Sequence, residues 1–139
     1  MKDSSSEYQK TRIQHWDRIS RFSRQPNRAG SFYHSLIQKY YRFLIPPNRS
    51  VLELGCGHGD LLAALEPAFG VGVDFSGEMV RAAVTKYPNC HFLQADVHTV
   101  ALQAKFDYII LSDLVNDLWD VQAVLENIRQ FCHPGTRVI

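Results

Sequence analysis

The sequence lacks most of the features that mark specialised protein classes. No run of about 18 apolar residues occurs, and the opening MKDSSSEYQK has no apolar core of a signal peptide, so a helix that spans a membrane is not expected and the chain reads as cytoplasmic. The cysteines, Cys56, Cys90 and Cys132, are odd in number and show no C-x-x-C spacing, which argues against a disulfide framework and a zinc site. The histidines, His15, His34, His58, His91, His98 and His133, never pair at i, i+4 as in a helical metal site. No nucleophile elbow and no Ser-His-Asp order is present, so hydrolase chemistry is unsupported. Internal repeats and low-complexity tracts are also missing.

What remains is the composition of an ordinary globular domain. At about 100–200 residues per domain, 139 residues leave room for one core. The net charge of +1 hides an asymmetry: residues 1–49 carry ten Lys and Arg against three acids, and residues 50–139 carry five against eleven. A basic arm on an acidic domain suits an anionic partner such as nucleic acid, a phosphosugar or a membrane surface, or the arm lies across its own acidic domain; the second reading is favoured.

Periodicity divides the chain at the same place. From Tyr8 to Phe22, Ile13, Trp16, Ile19 and Phe22 recur every three residues, which predicts an amphipathic docking helix. Ser23 to Gly30 collects Pro, Asn and Gly and reads as a loop, Ser31 offers an N-cap, and Phe32 to Leu44 continue at helical spacing until Pro46-Pro47. Trp16 and Tyr33 are read as packing residues, although a basic, aromatic arm over a site would exclude water. Beyond Asn48, short apolar runs alternate with helical patterns, the sign of βαβ units on a parallel sheet. Strands are expected at Ser50–Leu54, Val71–Phe75, His91–Gln94, Tyr108–Leu111 and Arg137–Ile139, with helices at Asp60–Glu66, Gly77–Lys86 and Val115–Cys132 and a weaker helix or turn at Val97–Leu102. Ser76 is the expected N-cap of the Gly77 helix. The expected fold is α/β: a Rossmann-like parallel sheet of about five strands with helices on both faces, behind an N-terminal basic helical arm (1–49). Ile139 falls inside the fifth strand, so the chain reads as part of a longer protein.

The chemistry concentrates in VLELGCGHGDLLAAL, where a buried strand enters three alternating glycines and then a helix. Without a Cβ, Gly55, Gly57 and Gly59 allow a tight turn and a close approach of ligand to backbone, beside free N–H groups at the helix start. Fifteen residues on, VGVDF ends in Asp74, an acid at a strand end that can accept from both hydroxyls of a ribose. The third strand leads into Asp96-Val97, where a carboxylate could accept from an adenine amino group and a backbone N–H could read the ring. Each acid alone is an even bet against a structural cap, but the ordered series of glycine loop, acid and acid at successive strand ends is not. A nicotinamide-dependent oxidoreductase shares this logic, but its Gly-x-Gly-x-x-Gly places the third glycine one position later than Gly59. A non-catalytic cofactor-binding or scaffold module is the third reading.

These motifs resemble the class I S-adenosylmethionine-dependent methyltransferases, in their small-molecule branch, over about Ser50 to Ile139. ELGCGHG is similar to motif I of that family. The resemblance implies that Glu53 orients the loop and that Gly55, Cys56, Gly57, His58 and Gly59 surround the methionine part of S-adenosyl-L-methionine. VGVDFS resembles the next motif, implying Asp74 on the ribose with Phe75 and Met79 beside the adenine. QADV implies Asp96 and Val97 at the adenine. FDYIILSDLVNDL resembles motif IV, which implies Leu111, Ser112 and Asp113 under the transferred methyl. The whole chain, with its HWD arm and YYRFLIPP helix, is also similar to methyltransferase domains that accompany sugar-transferring modules in bacteria. Motif IV lacks the Asn-Pro-Pro-aromatic form, which disfavours amino groups of nucleic acid bases or protein glutamine as acceptors. Asn116 stands where relatives often carry His or Glu. The implied function is methyl transfer to a small-molecule acceptor (sugar, lipid or other metabolite), with Asp113, Asp117 and His15 as candidate bases for a hydroxyl. Strands six and seven of the family are absent, so the fifth strand is expected to be an open edge through which two copies could pair.

Overall fold

The computed structural model describes residues 4–22 and 28–139. Five parallel strands, β1 (Ser50–Leu54), β2 (Phe69–Asp74), β3 (His91–Gln94), β4 (Phe106–Ile110) and β5 (Cys132–Val138), form one sheet in the order β3-β2-β1-β4-β5. The chain moves outward from β1 to β3 and then crosses back to β4. The strand order therefore reverses beside β1, the position where open α/β sheets form a crevice at the carboxyl ends of their strands.

Alternation along β1 explains why both faces of the sheet are covered. Leu52 and Leu54 point into a core with Val73, Ile109 and the α5 residues Val124 and Ile128. Val51 points the other way, into a core with Ile110, Leu61, Leu62 and Ile45. Each crossover must then lay a helix on one face or the other. Helices α3 (Asp60–Ala64) and α4 (Gly77–Lys86) follow β1 and β2, and α5 (Val121–Ile128) precedes β5. Two helices come before the sheet, α1 (Ser4–Phe22) and α2 (Arg28–Leu44).

Strands β1 and β3 and helix α4 fall where the sequence predicts them, and the Ser76 Oγ caps α4 by accepting from the Met79 N–H at 3.2 Å. Other expectations need correction. Ser31 is not an N-cap, because α2 begins at Arg28 and runs through Gly30; residues 23–27 of the expected loop lie outside the described ones. The single helix expected over Val115–Cys132 is broken into a 3-10 turn at Val115–Asp117, α5, and a second 3-10 turn at Arg129–Phe131. Asp120 causes the break: its side chain accepts from the Ala123 N–H at 2.9 Å, so it starts a new helix where continuous periodicity suggested an interior. β5 starts at Cys132 rather than Arg137. Between Cys132 and Arg137 its register against β4 shifts, and the His133 N–H donates to Thr136 Oγ1 at 2.8 Å within the bulge, which hides a strand behind Pro134-Gly135. Val97–Thr99 is a turn.

Candidate functional site

A cavity of about 690 Å3 opens at the carboxyl ends of β1, β2, β3 and β4, roofed by α1 and walled on one side by α2. That volume lies within the range of about 300–1,000 Å3 typical of small-molecule sites.

The floor is the turn after β1. Gly55, Gly57 and Gly59 all have positive φ, at 73°, 51° and 78°, but for different reasons. A Cβ on Gly59 would stand 2.6 Å from the Phe92 ring, and one on Gly55 2.8 Å from Leu114 Cδ1, so both are required by packing. A Cβ on Gly57 would meet nothing within 4 Å. Gly57 lines the cavity, so its bare backbone is open to a ligand rather than pressed by the fold. Its N–H donates to Asp74 Oδ2 at 2.9 Å, and the Ser76 N–H donates to Asp74 Oδ1 at 2.9 Å. The Asp74 carboxylate at the end of β2 thus fastens two loops, and each oxygen keeps a second lone pair for the cavity. Burial raises the Asp74 pKa, against the two backbone N–H groups that favour its charged form.

Glu53 lies on the sheet face toward the cavity and accepts from the Leu62 N–H at 3.1 Å in the first turn of α3. Its carboxyl is almost wholly out of water, and this burial pushes its pKa from the ordinary 4.5 up to about 8. Burial also drives the Cys56 thiol up and keeps it an un-ionised, inert side chain. His58 goes the other way: burial lowers its pKa, and its Nε2 lies 3.1 Å from Ser20 Oγ of α1. Asp96, after β3, takes the His98 N–H at 2.9 Å, the His98 ring at 2.7 Å and the Gln9 amide of α1 at 2.5 Å. Burial works against its charge, but these donors outweigh it and its pKa falls.

Past β4, Asp113 takes a left-handed φ of 53°, uncommon for a non-glycine residue, and both its oxygens accept from the Tyr33 hydroxyl of α2, at 2.8 and 2.9 Å. That hydrogen bond raises the Tyr33 pKa. Asp117 is held from α1: Arg12 Nη2 pairs with Oδ1, and the Trp16 indole N–H donates to Oδ2 at 2.7 Å. Arg12 Nε is buried without a hydrogen-bond partner.

The cavity thus gathers Glu53, Gly55, Cys56, Gly57, His58, Asp74, Phe75, Met79, Asp96, Val97, Ser112, Asp113 and Asp117. It does not gather Gly59, whose glycine serves packing, nor Leu111, nor His15, whose ring stacks edge-on against Trp16 at 5.3 Å. Sequence reasoning also took Trp16 and Tyr33 for packing residues. The structure corrects this, since both spend their polar atoms on acids at the cavity. It missed Gln9 and Asp17 altogether. Asp17 accepts from the Ser76 hydroxyl, so α1 reaches the cap of α4 as well as Asp96 and Asp117. The one available signal was the polar residues of α1, spaced three to five apart on the side that meets the acids of the domain. Among the described residues no cluster of three or more His, Cys, Asp or Glu could hold a metal ion.

A family model described as a methyltransferase domain matches residues 51–135, which is more than half of the chain. The chain therefore belongs to the methyltransferase domain family, the class that its sheet order and glycine turn define. Among curated relatives, it is 34% identical over 90 residues to a trans-aconitate 2-methyltransferase from Azoarcus sp. (strain BH72), covering 62% of this chain and 36% of that protein. It is 28% identical over 109 residues to a demethylmenaquinone methyltransferase from Oceanobacillus iheyensis, covering 70% and 46%. The chain spans less than half the length of these relatives. Solved structures share the fold: a Haloferax volcanii methyltransferase in complex with the Trm112 activator has a TM-score of 0.75 at 23% identity, over 88% of this chain and 57% of that one. A Geobacter sulfurreducens methyltransferase in complex with S-adenosyl-L-homocysteine has a TM-score of 0.60 at 18% identity, over 75% and 45%.

Proposed function

We propose that this chain is the cofactor-binding part of an S-adenosyl-L-methionine-dependent methyltransferase acting on a small-molecule acceptor. The observation that carries this reading is Gly57: a glycine with a left-handed φ and open space where its Cβ would stand, lining a cavity beside the acids at the ends of β2 and β3. A turn kept bare for packing would crowd that position, as it does at Gly55 and Gly59.

The residues present fit the cofactor. Asp74 has lone pairs left for two ribose hydroxyls, Phe75, Met79 and Val97 offer apolar surface to a ring, and Asp96 accepts from an amino group. Glu53 and the backbone of Gly55 to His58 form the polar end for an amino acid moiety. When bound, the cofactor supplies the electrophilic methyl on its sulfonium. The protein's task is to hold the two partners in line, a contribution worth about 7–11 kcal/mol, and to exclude water. In this reading residues 1–49 act as a roof on the domain of residues 50–139, with α1 pinned by Asp117, Asp96 and Ser76.

Of the three candidate bases, Asp113 is the best supported. It is exposed at the cavity and oriented by Tyr33. Asp117 is held in an ion pair with Arg12 and by the Trp16 N–H, with its side chain only 11% exposed, whereas Asp113 meets a single neutral hydroxyl; His15 stands away from the cavity. Arg12 Nε, a buried donor without a partner, suits an acceptor that carries a carboxylate or carbonyl oxygen.

The test is titration calorimetry with S-adenosyl-L-homocysteine, with NAD in parallel and Asp96→Ala as a second protein. Saturable binding of the first ligand alone, weakened by the substitution, is expected. Binding of NAD instead would favour the oxidoreductase reading. Binding without methyl transfer to any acceptor, by the full-length protein, would favour the scaffold.

A further inference from the structure

Helix α2 borders the cavity with its polar side, which is itself exposed at Ser31, His34 and Ser35. Ser31, His34, Ser35 and Gln38 line the cavity, while Ile37 and Tyr41 pack on the core at one margin. The opposite side is apolar and faces solvent: Phe32, Leu36, Tyr40 and Phe43, at spacings of three or four, are 71%, 36%, 60% and 87% exposed. The apolar stripe of a surface helix usually faces the core; α2 sends Ile37 and Tyr41 there and leaves these four side chains in water. The charge around the stripe is one-sided. From Arg18 to Leu52 the sequence has seven Arg and Lys and no Asp or Glu, and Lys39, Arg42 and Arg49 are exposed on or just after α2. The acids of the chain are concentrated in the domain behind it.

We infer that α2 docks this protein onto an anionic lipid bilayer, lying in the plane of the interface with Phe32, Leu36, Tyr40 and Phe43 buried among the headgroups and upper acyl chains. An in-plane helix needs an aromatic and aliphatic face, cations near the headgroups and low overall hydrophobicity, and α2 meets each condition. Cations close to the surface attract the negative leaflet, while the acidic domain of residues 50–139 is repelled and turns away, which fixes the orientation. No helix among the described residues is long and apolar enough to cross a membrane, so the attachment is peripheral and reversible. A second copy of this chain is a poorer occupant, because two α2 faces would bring their cations together.

The experiment is flotation of the full chain with vesicles, made either of phosphatidylcholine alone or with about 30 mol% phosphatidylglycerol, at low and raised salt. Recovery with the anionic vesicles only, falling as salt rises, is expected. The variant Phe32→Ser/Phe43→Ser alters two exposed side chains, so its circular dichroism and melting should match the parent, while its recovery falls about tenfold or more. Lys39→Glu should lower recovery without removing it. Equal recovery with both vesicle types, recovery with neither, or a variant that floats like the parent overturns the inference. So does a dimer in sedimentation that the Phe32→Ser/Phe43→Ser change dissociates, which would assign the face to a second copy. No cofactor is present in this assay, so its outcome is separate from that of the cofactor reading.

Discussion

Alanine at Gly57 and alanine at Gly59 should rank in opposite order for stability loss and for loss of binding, although both sites carry the same substitution in the same turn. At Gly59 two costs combine. A left-handed φ costs an L-residue about 1–2 kcal/mol, and the new Cβ stands 2.6 Å from Phe92 and 3.3 Å from Ala83 Cβ. Phe92 is partly buried at the edge of the core that holds Leu61 and Leu62, so its ring must shift within that packing, and overpacking of this kind costs about 1–3 kcal/mol. The sum is about 2–5 kcal/mol. At Gly57 only the backbone term applies, about 1–2 kcal/mol, because the Cβ enters open space. With an unfolding entropy of about 2 cal/mol/K per residue, each kcal/mol lowers the melting temperature of a 139-residue chain by about 3–4 °C. Thermal melts should therefore separate the variants, Gly59→Ala falling by about 7–17 °C and Gly57→Ala by about 3–7 °C. Calorimetry should reverse the order: Gly57→Ala puts a methyl into the cavity and should weaken S-adenosyl-L-homocysteine about tenfold or more, about 1.4 kcal/mol. Gly59→Ala with Phe92→Leu should recover part of the lost stability, since the clash is then relieved. The reasoning is refuted if Gly57→Ala binds the ligand like the parent, or if the two variants lose equal stability.

Other expectations follow from the same geometry. The Glu53 pKa is higher folded, about 8, than the ordinary 4.5, so the folded state holds a proton that the unfolded chain releases; stability should decline from about pH 5 to pH 8 and then level off. Glu53→Gln should flatten that decline in urea midpoints, and identical slopes for the two proteins would contradict it. Asp117→Asn removes the charge that Arg12 and Trp16 share, so α1 should lose about 2 kcal/mol of local protection in hydrogen exchange while β1 keeps its own. Unchanged exchange along α1 would show that the arm is held elsewhere. β5 has no partner on its outer side among the described residues, so weak self-association through that edge is expected in light scattering, and a strict monomer at high concentration counts against it.

The parallel sheet was legible because its strands are short apolar runs separated by helices, and the glycine turn and two acids stand where each strand ends. Boundaries failed where a single polar residue overrode periodicity: Asp120 restarts a helix, and Pro134-Gly135 sits inside a strand as a bulge. The roof was much harder to read. Gln9, Arg12, Trp16 and Asp17 act through residues about 60 to 105 positions away, and nothing local in α1 encodes those partners. Trp16 looks like a core residue because its ring is apolar, yet its indole N–H decides where it points.

The Gln9–Asp96 hydrogen bond has a thermodynamic consequence for any ligand that reads Asp96. Asp96 Oδ2 already holds a donor from the arm and keeps one lone pair, while Oδ1 takes both His98 donors. A ligand amino group at that lone pair would share the oxygen with Gln9, so arm and ligand meet at a single atom. Whatever free energy the arm adds to ligand binding there, the ligand adds to the docking of α1 in the same amount and with the same sign. Arm and ligand are in this sense coupled through one carboxylate oxygen, with one of the two partners tethered to it by the chain.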